Sequence, residues 1–384
     1  MDNPILSVPT SFGVESIASR EIRDLGYEIV SVEDGRISFR GDADAICRCN
    51  IWLRTAERVQ IKMGEFSAVT FDELFEGTKA MRWGDILPRD AEFPVSGHSL
   101  KSKLFSVPDC QSIIKRAIVD KLTGKYKITS FPEDGELYKI QFNILKDRVS
   151  VYIDTTGEGL HKRGYRQDSN IAPIRETLAA AIVRLSRWKP GQAFWDPYCG
   201  SGTFVIEAAM IGMNMAPGCF RGFTSEKWGI IDKRSWVRAR EEAKSQILVN
   251  DGVEIVGSDI DKHAVESSRR NAKRARVSVA VKFFQLDAGQ MSPNHERLAE
   301  LGVKLPEVGC IVGNPPYGDR LPDLTTAECI NKKLGERYRL FDNNNWRLYI
   351  ITSNDDFEKN MNRTAKKKRK LYNGMTKCNL YQYF

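Results

Sequence analysis

Histidine and closely spaced cysteines are scarce in this sequence, which argues against metal chemistry. Only four histidines occur among 384 residues, and none of them belongs to a His-Glu-x-x-His pattern. The eight cysteines include no Cys-x-x-Cys pair, and the nearest two, Cys47 and Cys49, stand apart from the others. A zinc or iron–sulfur site needs a tighter group of ligands than this. We therefore expect no metal and predict free thiols in a reducing compartment.

Long apolar runs are also missing, and the chain begins without the features of a secretion signal. The apolar runs have the length of strands rather than of membrane spans. The first residues, MDNP, contain neither a basic region nor the start of an apolar core. The hydrophobic content of 41% is typical of soluble globular proteins. The sequence thus predicts a cytoplasmic protein without a membrane partner.

Basic residues exceed acidic residues, 58 to 50, which gives a net charge of +8. An excess of this size permits binding to a polyanion but does not identify one. The basic residues crowd two segments, residues 269–276 and residues 366–370. The commoner interpretation of such a segment is a solvated helix face or loop, and the functional one is contact with phosphate.

A glycine-containing loop follows an apolar segment at residues 194–203, FWDPYCGSGT. Gly200 and Gly202 allow a ligand to approach the backbone closely, and the helix predicted to follow favours an anionic group at its N-terminus. No Gly-Lys-Ser/Thr ends the run, so it is not a P-loop. The three-glycine spacing of dinucleotide-binding loops is incomplete, so NAD is a poor fit.

Two acidic residues end apolar segments further along the chain. Asp259 follows residues 253–258, and Asp287 follows residues 281–286. An acid at the tip of the second strand of a parallel sheet is placed to bind ribose hydroxyls. The alternative for either acid is an ordinary surface residue or helix cap. Because ligands bind outside the carboxyl ends of parallel strands, we expect the glycine loop and both acids to line one cleft.

The segment Asn314-Pro315-Pro316-Tyr317 follows a third apolar run, residues 310–313. Two prolines cannot continue a strand or a helix, so the backbone must leave the strand in an extended loop. Such a loop offers an amide oxygen, a carbonyl and an aromatic ring, which suit an exocyclic amino group on a flat base. In isolation, a Pro-Pro turn with a packed tyrosine is the simpler interpretation.

Taken in order, these motifs resemble the S-adenosylmethionine-dependent class I methyltransferases that modify amino nitrogens. More narrowly, the chain is similar to the THUMP-containing RNA guanine-N2 methyltransferases. These include stand-alone bacterial proteins that resemble the N-terminal half of the fused large-subunit rRNA methyltransferase. The resemblance runs from about residue 164 onward, and further matches lie at residues 160–166, 172–174 and 313–321.

The resemblance implies S-adenosylmethionine as cofactor and assigns residues to it. Asp259 would hold the ribose hydroxyls, and Asp287 would meet the adenine edge. The residues implied at the reacting nitrogen are Asn314, Pro315, Pro316 and Tyr317. The residues implied in cofactor binding are Asp196, Pro197, Tyr198, Gly200, Gly202, Thr203, Asp259, Ile260, Asp287, Ala288, Ala172, Pro173, Arg175 and Thr177.

The resemblance further implies an RNA substrate, with ribosomal RNA first, transfer RNA second and guanine N2 as the methylated atom. Adenine-N6 methyltransferases and methyltransferases of glutamine amides share the amino-group motif, so the motif leaves those substrates open. A non-enzymatic alternative is an RNA-binding protein with a decayed methyltransferase fold. The intact motifs argue against that alternative, because an inactive site needs none of them.

The chain is predicted to have three parts, giving an α/β Rossmann-like methyltransferase domain preceded by an α+β RNA-binding region. Residues 1–66 show a β-α-β-β-α-β order that fits a ferredoxin-like unit. Residues 67–160 resemble a THUMP RNA-binding domain, and a sequence profile of that domain can match from near residue 45 onward. Within this part we predict a strand at 92–95 and a helix at 109–122. Residues 161–384 alternate strands and helices, which predicts a parallel sheet covered by helices on both faces.

Overall fold

The computed structural model describes residues 3–166, 174–249, 254–316, 324–342 and 345–384. The chain divides into two compact units. The first unit comprises Met1–Thr10, Ser19–Leu160 and Phe220–Glu242, and the second comprises Ser11–Ala18, His161–Cys219 and Ala243–Phe384. Residues 220–242 thus group with the first unit, although they lie within the range predicted for the methyltransferase domain. The division into three domains remains a prediction.

The first unit is built on one mixed sheet of seven described strands in the order β2-β3-β1-β4-β7-β6-β5. Its strands pair antiparallel except for β5 and β6, which are parallel. The order β1-α1-β2-β3-α2-β4 agrees with the predicted ferredoxin-like pattern. The elements up to residue 154 are β1 (Ile5–Pro9), α1 (Glu15–Asp24), β2 (Ile29–Glu33), β3 (Arg36–Arg40), α2 (Ala43–Trp52), β4 (Gln60–Ser67), α3 (Phe71–Lys79), β5 (Val95–Leu100), α4 (Val107–Tyr126), β6 (Ile140–Leu145) and β7 (Arg148–Asp154).

One prediction in this unit is wrong, because the strand expected at residues 92–95 begins only at Val95. Upstream, Glu92 forms an isolated bridge with Leu137. Pro94 lies between Glu92 and Val95 and has no N–H to donate, so the hydrogen bonds of a strand cannot continue across it. The helix expected at 109–122 exists but is longer, Val107–Tyr126.

The second unit contains a sheet of seven described strands in the order β10-β9-β8-β11-β12-β14-β13. Strands β10, β9, β8, β11 and β12 are parallel to one another. Strand β14 pairs antiparallel with β12, and β13 pairs antiparallel with β14. Helix α7 (Lys233–Ser245) lies mostly in the segment that groups with the first unit. The other elements after residue 154 are α5 (Glu176–Leu185), β8 (Ala193–Asp196), α6 (Thr203–Gly212), β9 (Ile255–Asp259), α8 (Lys262–Arg274), β10 (Val281–Gln285), α9 (Glu296–Glu300), β11 (Gly309–Gly313), α10 (Leu324–Asp342), β12 (Trp346–Thr352), α11 (Phe357–Met361), β13 (Lys367–Asn373) and β14 (Thr376–Tyr383).

Both faces of this sheet are covered by helices. On one face, Ile182 of α5 and Phe204 of α6 join a buried cluster with Phe194 of β8. On the other face, Tyr338 of α10 belongs to a cluster around Trp195. Because helices cover both faces of the sheet, neither side of β8 or β11 meets solvent, which explains why both strands are apolar runs. The Rossmann-like fold predicted for this region is confirmed.

The basic run at residues 366–370 lies mostly in an edge strand, which corrects the expectation of a loop or helix face. Among the described strands, β13 pairs only with β14. Lys367, Lys368 and Lys370 are exposed in this edge strand, and their charge discourages pairing with another chain. The other basic segment lies on α8 and the turn after it. Among the described helices, none is long and apolar enough to cross a membrane.

Candidate cofactor and substrate site

The strands of the second unit bring the predicted site residues to one edge of the sheet. Strand β8 has β9 on one side and β11 on the other. From β8, later strands are added outward on both sides of the sheet. A crevice at the carboxyl ends of the strands is expected where the order reverses in this way. Asp196 ends β8, Asp259 ends β9, and Asn314 follows β11 at that edge.

The glycine loop is a tight turn that leaves open space on one side. Gly202 N donates to Cys199 O at 2.7 Å, and Gly200 and Gly202 both have left-handed φ values, +50° and +83°. A Cβ on Gly202 would lie 2.9 Å from Ser268 Cβ, so this position is packed from behind. A Cβ on Gly200 would meet no described atom within 4 Å. The loop therefore leaves room in front of Gly200 for a ligand.

Asp259 holds the glycine loop against the end of β9. Gly200 N donates to Asp259 Oδ2 at 2.9 Å, and Asp261 N donates to Oδ1 at 3.0 Å. Partial burial raises the pKa of this carboxyl group, and the two N–H donors oppose that shift. Each carboxylate oxygen can accept a second hydrogen bond, so this arrangement leaves Asp259 able to bind hydroxyl groups as well.

Tyr198 lies among three acidic side chains. Its backbone N–H donates to the buried Asp196 Oδ1 at 3.0 Å. Burial raises the pKa of the Tyr198 phenol, and the carboxylates of Asp287, Asp196 and Asp259 raise it further. Burial also raises the pKa of Asp196 well above its ordinary value. The Tyr198 hydroxyl is thus held neutral, and it is buried with no hydrogen-bond partner in the described part of the chain.

Asn314 begins the Asn-Pro-Pro loop directly beside Tyr198. A Cβ on the preceding Gly313 would lie 3.1 Å from Tyr198 Cδ2 and 3.7 Å from Asp196 Oδ1. The Asn314 Oδ1 atom is buried, and no described group donates to it. A buried acceptor without a donor costs about 1–3 kcal/mol. Such an atom calls for a functional explanation, and a donor on a ligand would supply the missing bond.

The other predicted residues have varied positions. Asp287 Oδ1 accepts from Gly289 N at 2.8 Å and caps a short helical turn that contains the buried Ala288. Ile260 is 66% exposed at the end of β9. The buried positions include Pro197, Thr203 and Thr177, whereas Arg175 is exposed at the start of α5. Tyr317, Ala172 and Pro173 lie outside the described residues.

Two contacts that shape this site were missed by sequence reasoning. Asn271 of α8 is buried and donates from Nδ2 to Ser201 O at 3.0 Å, which fixes the glycine loop. Arg163 and Glu207 form a buried ion pair, Nε to Oε1 at 3.3 Å, at the helix that follows the loop. The partners are separated by 70 and 44 residues, so no local pattern could have paired them.

The site suits a ligand with hydroxyl and amino donors. It combines open space before Gly200, acids at strand ends, and two buried polar atoms that have no partner among the described residues. Within the described ranges, no group of three or more His, Cys, Asp or Glu side chains is arranged to hold a metal ion.

Three family models match consecutive parts of the chain. They are the RlmL ferredoxin-like domain at residues 6–60, the THUMP domain at residues 68–154 and the UPF0020 RMKL-like methyltransferase domain at residues 163–382. The chain belongs to this methyltransferase family. The predicted resemblance to THUMP-containing methyltransferases is thereby confirmed, and so is the predicted order of ferredoxin-like, THUMP and methyltransferase regions.

Similar proteins agree with this assignment over nearly the whole chain. "Putative RNA methyltransferase YpsC" of Bacillus subtilis is 46% identical over 375 residues, covering 97% of this chain and 94% of that protein. The crystal structure of SMU.472, "a putative methyltransferase complexed with SAH", is 41% identical with a TM-score of 0.92, covering 100% of this chain and 99% of that one.

A third similar protein carries a different description. It is "a predicted N6-adenine-specific DNA methylase" from Listeria monocytogenes, 44% identical with a TM-score of 0.91. The match covers 100% of this chain and 97% of that one. The descriptions therefore agree on methyl transfer and differ on the acceptor.

Proposed function

We propose that this methyltransferase transfers a methyl group to the exocyclic N2 amino group of guanine in RNA, with ribosomal RNA as the first candidate and transfer RNA as the second. The observation that carries the proposal is the buried Asn314 Oδ1 atom, to which no described group donates. The residue before it, Gly313, lies beside Tyr198. An amino group presented by a base would satisfy the Asn314 Oδ1 atom.

S-adenosylmethionine is the methyl donor, in keeping with the methyltransferase family and with SMU.472, which was crystallised with SAH. When bound, it supplies an electrophilic methyl group on a sulfonium that is a good leaving group. We assign its methionine part to the space before Gly200, its ribose to Asp259 and its adenine edge to Asp287 and Ala288. Ile260, exposed beside Asp259, offers an apolar surface for the adenine ring.

We expect Asp259→Ala to weaken binding of S-adenosylmethionine by about 1–3 kcal/mol, since a hydrogen-bonded acceptor for the ribose is lost. Calorimetry with a chelator present measures this affinity. Asp261→Ala is the matched control, because Asp261 is an exposed neighbour whose side chain caps α8, and the substitution keeps the backbone N–H that donates to Asp259. Equal affinities for the two variants would refute the ribose assignment.

The residues after β11 would act on the acceptor nitrogen by positioning it. The nitrogen of a base amino group is a poor nucleophile, because its lone pair is delocalised into the ring. If Asn314 Oδ1 and the Pro315 carbonyl accept its two hydrogens, the nitrogen can pyramidalise with the lone pair facing the methyl group. Positioning of this kind carries much of the rate, and the proton can leave after transfer. Tyr317 is proposed to stack on the base, which must be unstacked from its neighbours to enter.

Adenine N6 is the second candidate acceptor, and the description of the Listeria protein favours it. Both purines present an exocyclic amine that fits the same two acceptors. The THUMP match and the description of YpsC support RNA over DNA, and the resemblance to guanine-N2 enzymes supports guanine. We propose that the pocket distinguishes the bases through the rest of the base edge, and Asp319 and Arg320, outside the described residues, are candidates for this.

We assign RNA binding to the region before residue 160. Its THUMP match includes a loop after β5 that carries Phe105, 80% exposed, together with exposed Lys101 and Lys103. Lys103 N donates to Asp147 Oδ1 at 2.7 Å, which fixes the loop. An exposed aromatic ring flanked by cations suits an unpaired base and its phosphate.

The proposal is tested by mass spectrometry of nucleosides from cells that lack this protein. We expect N2-methylguanosine to fall in ribosomal RNA and to return when the wild-type gene, but not an Asn314→Ala gene, is restored. A loss of N6-methyladenosine with N2-methylguanosine unchanged would contradict the guanine assignment.

A further inference from the structure

A cationic cavity lies on the second unit's sheet, lined by residues of β12, β13 and β14 and by the end of α5. It has a volume of about 390 Å³, and five of its nine lining residues are basic: Arg187, Arg347, Lys367, Lys368 and Arg369. In β12, Arg347 is paired with Cys310 near the start of β11, whereas Gly313 at the end of β11 is paired with Ile350. Four residue steps along β11, about 13 Å, separate Cys310 from Asn314, and β13 is the third strand away from β11, so the cavity is separate from the Asn314 loop.

Side-chain carboxylates compensate little of the positive charge of this cavity, and none is among its nine described lining residues. Lys368 forms an ion pair with Glu358, but within the described ranges Arg187, Arg347, Lys367 and Arg369 form none. Four like charges gathered around one cavity repel each other, and an anion bound between them would relieve that repulsion.

Neutral groups hold two of these cations in place. Arg347 Nη1 donates to Arg187 O at 3.1 Å, and Nη2 donates to Gln192 Oε1 at 2.7 Å. Arg369 Nη1 donates to Gly13 O at 3.3 Å. These bonds orient the guanidinium groups without neutralising them. A charged guanidinium fork with a fixed orientation is suited to the oxygens of a phosphate group.

The surroundings favour a polynucleotide phosphate over a free anion. Lys367 and Arg369, which both line the cavity, are about 7 Å apart on the same face of β13, and Lys370 follows them in that strand. The Phe384 ring, 41% exposed, lines the cavity, and the Lys366 ammonium lies 5.3 Å from its centroid. A row of cationic side chains with an aromatic ring beside it is typical of surfaces that bind single-stranded nucleic acid.

We propose that this cavity binds a backbone phosphate of the RNA substrate, at a distance from the nucleotide that is methylated. The inference rests on the proposed RNA substrate and adds a second RNA contact within the methyltransferase domain itself.

The test compares two double variants of the full chain, Arg187→Ala/Lys367→Ala and the control Lys332→Ala/Lys359→Ala. Both remove two exposed lysine or arginine charges from the second unit, and the control pair lies on α10 and α11. The probe is an unmodified ribosomal RNA transcript, with affinity measured over a range of salt concentrations. We expect the cavity variant to bind RNA at least about tenfold more weakly than the wild type. The slope of log affinity against log salt concentration should be shallower by about one for each lost phosphate contact. The control should match the wild type, and binding of S-adenosylhomocysteine should be equal in all three proteins.

Pyrophosphate serves as a second probe, to separate a polynucleotide from a free anion. Equal RNA affinities and salt slopes for the two double variants would overturn the proposal, even if the cavity variant alone lost pyrophosphate binding. Methyl transfer by the wild type is followed in the same reactions. RNA that remains unlabelled would contradict the proposed function, whereas labelled RNA with equal affinities would contradict the cavity assignment alone.

Discussion

Asn314→Ala is expected to slow methyl transfer by about 10²-fold or more while leaving cofactor binding nearly unchanged. The substitution removes the buried Oδ1 atom that has no donor among the described residues. Under the proposed mechanism, this oxygen takes one of the two hydrogens of the acceptor nitrogen and so sets the direction of its lone pair. The loss should therefore appear in the chemical step.

Single-turnover measurements with saturating RNA test this expectation, alongside calorimetry with S-adenosylhomocysteine. Asn314→Asp is the matched variant, because it retains an acceptor oxygen at the same place and should keep more of the rate. The free energy of unfolding of Asn314→Ala should not fall, since the removed acceptor is unsatisfied in the folded protein. A near-normal rate would contradict the mechanism, and a large loss of stability would contradict a purely functional role for this side chain.

Glu207→Ala is expected to destabilise the second unit by about 3–5 kcal/mol, because it removes the carboxylate that pairs with the buried Arg163 guanidinium. The side chains of Arg163 and Glu207 are almost entirely inaccessible, with exposures of 2% and 0%. Glu207 Oε1 also accepts from the Tyr165 hydroxyl at 3.2 Å. One carboxylate thus ties residues 163–165 to α6, the helix that follows the glycine loop.

Urea unfolding of the full chain, followed by a probe in the second unit, measures this effect. Glu300→Ala is the matched control. It breaks an exposed pair with Arg297, for which at most about 1 kcal/mol is expected. Equal losses for the two variants would show that the buried pair contributes no more than a surface pair.

The arrangement at the strand ends was predictable because it follows from topology. Alternating strands and helices imply a parallel sheet, and parallel strands place their carboxyl ends on one edge. Asp196, Asp259 and Asn314 each come at or just after such an end, so their common location needed no knowledge of side-chain contacts. Their roles in binding and catalysis remain predictions.

Contacts between distant parts of the chain could not be predicted in this way. The bond from Gly200 to Asp259 spans 59 residues, and neither residue type signals the other. Strand β13 was missed because its lysines resemble a solvated loop, and only its pairing with β14 makes it a strand. The grouping of residues 220–242 with the first unit depends on which surface they pack against, and local sequence does not encode that choice.

The most direct test of the account is incubation of the protein with labelled S-adenosylmethionine and unmodified ribosomal RNA, followed by nucleoside digestion. We predict label in N2-methylguanosine, with none in a parallel reaction of the Asn314→Ala variant. Label in N6-methyladenosine, or in protein alone, would contradict it.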